Sequence, residues 1–363
     1  MSPRSRSGGR GLRARTPAPY ALALRTLPGS DEKALTMTET SSIPRLSAAA
    51  VVLTDAQRDQ VGALAAELVD AAPGPLDSRA WLDTVRAASA RLPHELLAAL
   101  RDFRHDAGPD GVLLVRNLPV GAHALPATPT TAGSVERAVT LPAAAVTAAM
   151  IQLGEVIAYR SEKTGALVQN VVPVPGRERQ QSNAGSVRLQ MHVENAFHPN
   201  RPDYVGLLCV REDPTGDARL CTASIRRALP LLSEGARRVL AEERFLTEAP
   251  PSFGGGGVTP EHSVLTGAPE DPDVLVDFAA THALDDEGRV ALEELRSAFD
   301  GTTHALALAA GDLAVVDNRL AVHGRTSFTP RYDGTDRWLH RVYASLDNRR
   351  TRAGRRAGGS VLD

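Results

Sequence analysis

A stretch of nine residues, SVRLQMHVE at 186–194, most constrains how this chain folds. Its apolar residues alternate strictly with its polar ones, which is the pattern of a β-strand with two unlike faces. Residues two apart in a strand point the same way, so the sequence predicts that His192 and Glu194 stand together on the polar face. The pair is weak evidence alone, because about one such pair is expected by chance among 10 histidines and 43 acidic residues. A half-buried polar strand with a solvated Glu194 stays open.

A third candidate ligand lies far along the chain, in GDLAVVDNRLAVHGR at 311–325. Here a polar turn separates two apolar runs, and the second run leads to His323. Two imidazoles and one carboxylate on one face of a metal leave further positions open, which suits iron(II) that binds a chelating co-substrate together with O2. A closed structural zinc site needs four ligands. Zinc hydrolysis stays chemically possible, although the sequence contains no HExxH motif.

The stretch RWLHRVYASL at 337–346 alternates as well, so that Arg337 and Arg341 share a face with Leu339 and Tyr343. A buried arginine needs an anion, and its fork of donors fits a carboxylate. Such an arginine can hold the far carboxylate of 2-oxoglutarate while the keto-acid end chelates iron. A surface strand of charged residues is the other interpretation.

The remainder of the chain predicts an α+β protein that is mainly β, with flanking helices that are mostly N-terminal. The apolar spacing and the Gly, Pro and Asn signals between runs place the expected elements. Helices are expected at 54–68, at 78–103 with a restart at Pro93, and at 142–156; strands are expected at 111–119, 167–174 and 204–210.

The chain of 363 residues is long enough for one large domain with a well-buried core. Residues 1–45 are rich in Arg, Ser and Pro and are expected to be a disordered leader, with Met37 as an alternative start. Residues 46–350 are expected to form the folded domain, and residues 351–363 a flexible tail.

The formal net charge of −2 argues against a nucleic-acid or anionic-membrane partner. No run approaches the roughly 18 apolar residues that cross a bilayer, so a cytoplasmic protein with a small-molecule partner is expected. Cys209 and Cys221 are expected to be reduced core residues. The oligomeric state stays open.

Two long strings carry a resemblance to a known family. They are HVENAFHPNRPDYVGLLCVRED around His192 and Glu194, and GDLAVVDNRLAVHGRTSFTPRYDGTDRWLHRVY around His323 and Arg341. From about residue 51 onward, the chain resembles the clavaminate synthase-like branch of the 2-oxoglutarate-dependent oxygenases. This branch includes hydroxylases of arginine, lysine and asparagine.

The resemblance implies a distorted jelly roll, or double-stranded β-helix, in which His192, Glu194 and His323 bind Fe(II). It implies that Arg341 grips the carboxylate of 2-oxoglutarate and that Thr222 donates a hydroxyl to the same co-substrate. It also implies a reaction that consumes 2-oxoglutarate and O2, releases succinate and CO2, and hydroxylates C3 or C4 of a free L-amino acid in specialised metabolite biosynthesis such as antibiotic biosynthesis.

The candidate substrate-binding residues are Gln169, Ser182, Glu194 and Asp277. Asp277 lies where the related arginine hydroxylases place acids for the cationic end of the substrate, so L-arginine or L-lysine is the predicted substrate. Asp277 can instead end a strand and cap a turn, which leaves asparagine, citrulline or another polar amino acid open. A non-catalytic jelly-roll sensor is the alternative from outside the enzymes.

Overall fold

A computed structural model describes residues 49–250, 253, 257–355 and 359–363 of the chain. The leader expected at 1–45, with Met37, lies outside the described residues. Seven α-helices occur within these ranges: α1 (Asp55–Asp70), α2 (Arg79–Ala88), α3 (His94–His105), α4 (Leu141–Met150), α5 (Ile225–Ala228), α6 (Glu234–Leu240) and α7 (Asp286–Thr302).

The strands run from near the start of the described chain to its end. They are β1 (Ala49–Val52), β2 (Val112–Arg116), β3 (Val135–Glu136), β4 (Glu155–Tyr159), β5 (Val168–Val171), β6 (Leu189–His192), β7 (Tyr204–Arg211), β8 (Leu220–Ser224), β9 (Phe245–Thr247), β10 (Leu265–Ala268), β11 (Asp271–Val274), β12 (Thr281–Ala283), β13 (His304–Leu306), β14 (Leu313–Asp317), β15 (Ala321–Arg325), β16 (Trp338–Ser345) and β17 (Val361–Leu362).

Two larger sheets organise the described part of the chain. A nine-stranded sheet there has the order β1-β2-β14-β7-β16-β4-β17, with β5 beside β16 and β3 beside β5. A four-stranded sheet has the order β13-β8-β15-β6, and β10-β11 and β9-β12 are two-stranded sheets. Every residue of β14 and β16 is buried. Strands covered on both faces are expected to be apolar without strict alternation, as the LAVVD run at 313–317 is.

The N-terminal helices form as the sequence predicts. Thr54 caps α1, since its side chain accepts from the backbone N–H of Gln57 at 3.3 Å while the Gln57 side chain accepts from the Thr54 N–H at 2.8 Å. The buried face of α1 carries Val61, Leu64 and Leu68, which confirms the predicted apolar stripe. Together with α2 and α4, this helix covers one side of the core.

Three features differ from the expectations. The helix expected at 142–156 ends at Met150, and β4 begins at Glu155, because the apolar Ala-rich run continues into an apolar strand without a sharp change in composition. The helices are less N-terminal than expected, since the 17-residue α7 lies in the second half. In place of a flexible tail, residues near the C-terminus form β17, which pairs with β4 and buries Leu362.

Both cysteines are free and buried, as expected. Burial raises the pKa of the Cys209 thiol to about 12, so that side chain stays a neutral thiol in the core. Among the residues that the structure describes, every helix is too short or too polar to span a lipid bilayer. The mixed architecture of helices and sheets is the one that the sequence predicts.

Candidate active site

Three adjacent strands of the four-stranded sheet bring polar side chains into one row. His323 in β15 lies opposite His192 in β6 and opposite Thr222 in β8. Directly opposed residues of antiparallel strands place their side chains on the same face. The two imidazole rings lie 4.5 Å apart between centroids. The ligand atoms of His192, Glu194 and His323 all fall within 4.8 Å of one another, so the three predicted metal ligands converge on one point.

Glu194 lies just beyond the end of β6, and the turn before β15 fixes its backbone. The side-chain oxygen of Asn318 accepts from the Glu194 N–H at 2.6 Å, and its amide nitrogen donates to the Glu194 carbonyl at 3.0 Å and to the Pro202 carbonyl at 2.9 Å. Asn318 is fully buried. The same turn therefore positions the carboxylate of Glu194 and leads into the strand that carries His323.

The protonation states of the ligands suit a divalent cation. The His192 Nδ1 lies 2.8 Å from the Gln190 carbonyl, which can only accept, so Nδ1 donates this hydrogen bond and Nε2 is the ring nitrogen left for a metal. Burial lowers the pKa of His323, which keeps this imidazole neutral at neutral pH. Burial alone would raise the pKa of Glu194, but Arg341 and the two imidazoles outweigh it and hold that pKa well below its usual range. The site therefore offers the Nε2 atom of His192, a neutral imidazole at His323 and an ionised carboxylate at Glu194.

The three candidate ligands would leave coordination positions of a bound metal free. The cluster of candidate ligands has three members, and no fourth His, Cys, Asp or Glu joins it within the described residues. A structural zinc site needs a fourth protein ligand. The chemistry of this donor set therefore fits iron(II) with exchangeable positions, and the group of two histidines and one carboxylate is the facial arrangement of non-haem iron oxygenases.

Arg341 in β16 is buried and already paired. Its Nη1 donates to Glu194 Oε1 at 2.9 Å, its Nη2 donates to Glu162 Oε1, and its Nε donates to Gln169 Oε1 at 3.2 Å. Burial acts to lower the pKa of Arg341, but Glu194 and then Tyr343 and Glu162 raise it far above the usual value. Arg341 lines both the open pocket beside the ligands and a narrow cavity behind them.

Arg337 shares the inward face of this strand region but, unlike Arg341, forms no ion pair among the described residues. It is 6% exposed and lines the narrow cavity with His323, Leu339 and Arg325. Within the described ranges, no residue accepts a hydrogen bond from its guanidinium or pairs with its charge at close range. Burial lowers the pKa of Arg337 and outweighs the opposite effect of the more distant Asp213 carboxylate. A buried guanidinium in a cavity calls for an anion.

The other predicted site residues fall in different places. Ser182 and Asp277 line the open pocket, and Asp277 pairs with His192 in an antiparallel β-bridge. Gln169 is buried beneath Arg341 and does not line that pocket. Thr222 is buried beside His323, and its hydroxyl has no hydrogen-bond partner in the part of the chain that the structure describes. The structure thus brings Ser182, Asp277 and the ligands together and sets Gln169 behind them.

Glu162 is a charged residue of the pocket that sequence reasoning missed. Glu162 lines the pocket and is 7% exposed, and its Oε2 is buried without a partner among the described residues. The next three residues have left-handed backbone angles, with φ of 45° at Lys163, 57° at Thr164 and 74° at Gly165. The short polar turn SEKTG after an apolar strand was the available signal, since strained turns gather at functional sites.

Comparison with known proteins agrees with this geometry. The family model described as taurine catabolism dioxygenase TauD, TfdA family, matches residues 77–343. L-asparagine oxygenase of Streptomyces coelicolor is 48% identical over 86% of this chain and 94% of its own length. Clavaminate synthase 2 of Streptomyces clavuligerus is 36% identical over 84% of this chain and 95% of its own length.

A solved structure of asparagine oxygenase in complex with Fe(II), (2S,3S)-3-hydroxyasparagine and succinate matches with a TM-score of 0.85 and 48% identity. The match covers 86% of this chain and 98% of that one. A mutant of the non-haem iron oxygenase OrfP in complex with (3S)-hydroxy-L-Arg matches with a TM-score of 0.80 and 29% identity, over 86% of this chain and 99% of that one. The chain therefore belongs to the TauD/TfdA family of dioxygenases.

Proposed function

We propose that this protein is an Fe(II)- and 2-oxoglutarate-dependent dioxygenase that hydroxylates a free L-amino acid with a polar side chain. The convergence of His192, Glu194 and His323 beside a cavity with an unpaired arginine is the observation that carries the proposal. The family match and the Fe(II), succinate and hydroxyasparagine bound to the similar oxygenase support it. From the same likeness we infer that the two larger sheets together correspond to the double-stranded β-helix that the sequence resemblance implies.

The Nε2 atoms of the two histidines and one oxygen of Glu194 would hold the metal. Bound Fe(II) supplies O2 activation, coupled to oxidative decarboxylation of 2-oxoglutarate to succinate and CO2. Glu194 Oε2 lies 3.5 Å from His323 Nε2, whereas Oε1 accepts from Arg341. Arg341 therefore engages one carboxylate oxygen of Glu194, so that Glu194 would offer the other oxygen as a single ligand atom and leave more positions for the co-substrate.

The contacts favour different ligands for Arg337 and Arg341. The sequence assigns the 2-oxoglutarate carboxylate to Arg341, and that assignment stays a prediction. Arg341 already pairs with Glu162 and Glu194, however, whereas Arg337 forms no ion pair within the described residues and lines the cavity behind His323. A dicarboxylate entering this cavity would give Arg337 the anion that it lacks. Thr222 beside His323 has a free hydroxyl for the same co-substrate.

The open pocket offers both charges that an amino acid needs. An ammonium group requires an acid and a carboxylate requires a cation when both leave water. Glu162 and Arg341 lie side by side on the pocket wall, and Glu162 Oε2 is the unpaired acceptor. We assign the substrate ammonium to Glu162 and its carboxylate to Arg341. Ser182 borders the same pocket and stays a candidate contact.

Two substrate classes have specific support. Asp277 in the pocket favours a cationic side chain such as that of L-arginine or L-lysine, which was the expectation from the sequence. The 48% identity to an L-asparagine oxygenase favours L-asparagine, whose amide N–H groups can also donate to Asp277. We favour asparagine because this similarity extends over 86% of the chain.

Mass spectrometry of a substrate panel tests the function. The protein is incubated with Fe(II), ascorbate, 2-oxoglutarate and each standard amino acid, ornithine and citrulline. The expected result is one amino acid that gains an oxygen atom and stimulates succinate formation. Ligand binding without turnover would instead indicate a sensor, and activity under anaerobic conditions without 2-oxoglutarate would indicate a zinc hydrolase.

A further inference from the structure

One wall of the amino-acid pocket is formed by β6 and by the turn that follows β11. Gln190 in β6 and Asp277 in the turn both line the pocket. The Asp277 Oδ1 accepts from the backbone N–H of Ala279 at 2.8 Å, and its Oδ2 has no partner among the described residues. This wall therefore presents a free carboxylate oxygen to a bound amino acid.

Arg296 of α7 joins both parts of this wall from behind. Its Nη1 donates to Gln190 Oε1 at 3.2 Å, and its Nη2 donates to the backbone carbonyl of Phe278 at 3.1 Å. The guanidinium also lies over the Phe278 ring, 4.6 Å from the ring centre, while Phe299 of the same helix packs edge-on against that ring at 6.1 Å. One helix therefore holds the residue next to Asp277 and the side chain of Gln190.

Arg296 also fixes which way the Gln190 amide points. A guanidinium only donates, so the amide must turn its oxygen towards Arg296. The two N–H groups of Gln190 Nε2 then have no partner in the described part of the chain. Rotation of the amide by half a turn would place donor against donor, which costs a hydrogen bond and adds repulsion. The pocket wall thus carries one fixed donor, Gln190, and one free acceptor, Asp277.

We propose that Arg296 is a positioning residue that orients Gln190, and that the Gln190 donor and the Asp277 acceptor together select an amino acid whose side chain ends in a carboxamide. This inference rests on the proposed function. A carboxamide has a carbonyl oxygen for Gln190 and N–H groups for Asp277. A carboxylate end would face the charge of Asp277, and an ammonium or guanidinium end would leave the Gln190 donor without an acceptor.

A double-mutant cycle tests the proposal, with kcat/KM measured for L-asparagine, L-aspartate and L-lysine and KM measured for 2-oxoglutarate. Gln190→Met removes the donor, and Arg296→Met releases its orientation. Each change is expected to lower kcat/KM for asparagine about tenfold, the worth of one well-placed hydrogen bond, without changing the KM for 2-oxoglutarate. Because Arg296 acts through Gln190, the double variant is expected to be no worse than Gln190→Met alone.

Two further variants separate positioning from a general effect on the fold. Arg289→Met is the matched control, because Arg289 lies on the same helix with a side chain that is 70% exposed and pairs with Asp286. It is expected to behave as the wild type. Arg296→Lys keeps a donor for Gln190 Oε1 and is expected to recover most of the preference for asparagine over aspartate.

The outcomes distinguish this inference from the proposed function. Losses that multiply in the double variant to about 100-fold would show that Arg296 does not act through Gln190. A wild type that hydroxylates lysine or arginine in preference to asparagine would overturn the carboxamide assignment and leave the hydroxylase intact. If none of the tested amino acids stimulates succinate formation by the wild type, the proposed function fails and this inference fails with it.

Discussion

Replacing Arg337 and Arg341 by methionine is expected to change stability in opposite ways. Arg341 pairs with Glu162 and Glu194, and its own residue is only 4% exposed, so Arg341→Met leaves two buried carboxylates without their cation. Breaking a buried pair in this way costs about 3–5 kcal/mol of unfolding free energy. Arg337 forms no ion pair in the described ranges, and burial outweighs the attraction of Asp213, so Arg337→Met removes a costly buried charge and leaves the ligand-free protein as stable as the wild type or more stable.

The same two variants are expected to change the KM values for different substrates, 2-oxoglutarate in one case and the amino acid in the other. If Arg337 holds the 2-oxoglutarate carboxylate, its loss removes a charge-assisted hydrogen-bonded pair worth about 1.5–3 kcal/mol, which raises the KM for 2-oxoglutarate by about 10- to 150-fold. The KM for the amino acid should change little. Arg341→Met should mainly raise the KM for the amino acid, because we assign the substrate carboxylate to that arginine.

The assay combines steady-state kinetics with thermal unfolding of the metal-free protein, with and without 2-oxoglutarate. Arg331→Met is the control, because Arg331 is an exposed arginine of the preceding loop. Arg337→Met is expected to lose the stabilisation that 2-oxoglutarate gives to the wild type. An unchanged KM for 2-oxoglutarate in Arg337→Met, with a raised one in Arg341→Met, would refute the reasoning from the unpaired charge and restore the assignment made from the sequence.

Three other changes have expected outcomes. His192→Ala or His323→Ala should abolish iron-dependent succinate formation while circular dichroism shows a retained fold; full activity in either variant would remove the ligand assignment. Glu162→Gln should raise the KM for the amino acid about tenfold and leave the KM for 2-oxoglutarate unchanged, since the groups that lose a counter-charge are the substrate ammonium and Arg341, which we assign to the amino acid; equal effects on both would contradict that role. Burial, and then Arg341, lower the pKa of Lys163 to about 7 in the folded protein. Between about pH 7 and 10, Lys163 therefore binds a proton in the unfolded chain but not in the folded one. The free energy of unfolding should rise with pH in this range, by at most about 1.4 kcal/mol per pH unit. Urea unfolding of Lys163→Met should show a flatter pH dependence, and an unchanged slope would exclude Lys163 as its source.

The sequence identified the site residues whose orientation follows from the alternation of their own strand. Alternation within 186–194 places His192 and Glu194 on one face, and alternation from residue 337 places Arg337 and Arg341 on another, because a strand has a period of two residues. The register that sets His323 opposite His192 joins segments more than 100 residues apart. The sequence did not predict that register; it predicted only that His323 joins His192 and Glu194 at one metal, from the family resemblance and from metal chemistry rather than from any local pattern.

The remaining features depend on contacts between distant segments. Glu162 reaches Arg341 across 179 positions of sequence, so no window of the chain reveals that one arginine of β16 is neutralised and that Arg337 is not. Arg296 joins Gln190 across 106 positions for the same reason. The boundary between α4 and β4 was misplaced because an Ala-rich helix and an apolar strand have similar composition. Composition fixes burial there but not the backbone conformation.

The most direct test of the account is an anaerobic calorimetric titration of the metal-free protein with Fe(II), which does not depend on turnover. The wild type is expected to bind one Fe(II) per chain, and His192→Ala and His323→Ala are expected to lose that binding. Wild-type stoichiometry and affinity in both variants would show that these side chains, although they converge in the fold, do not hold the metal.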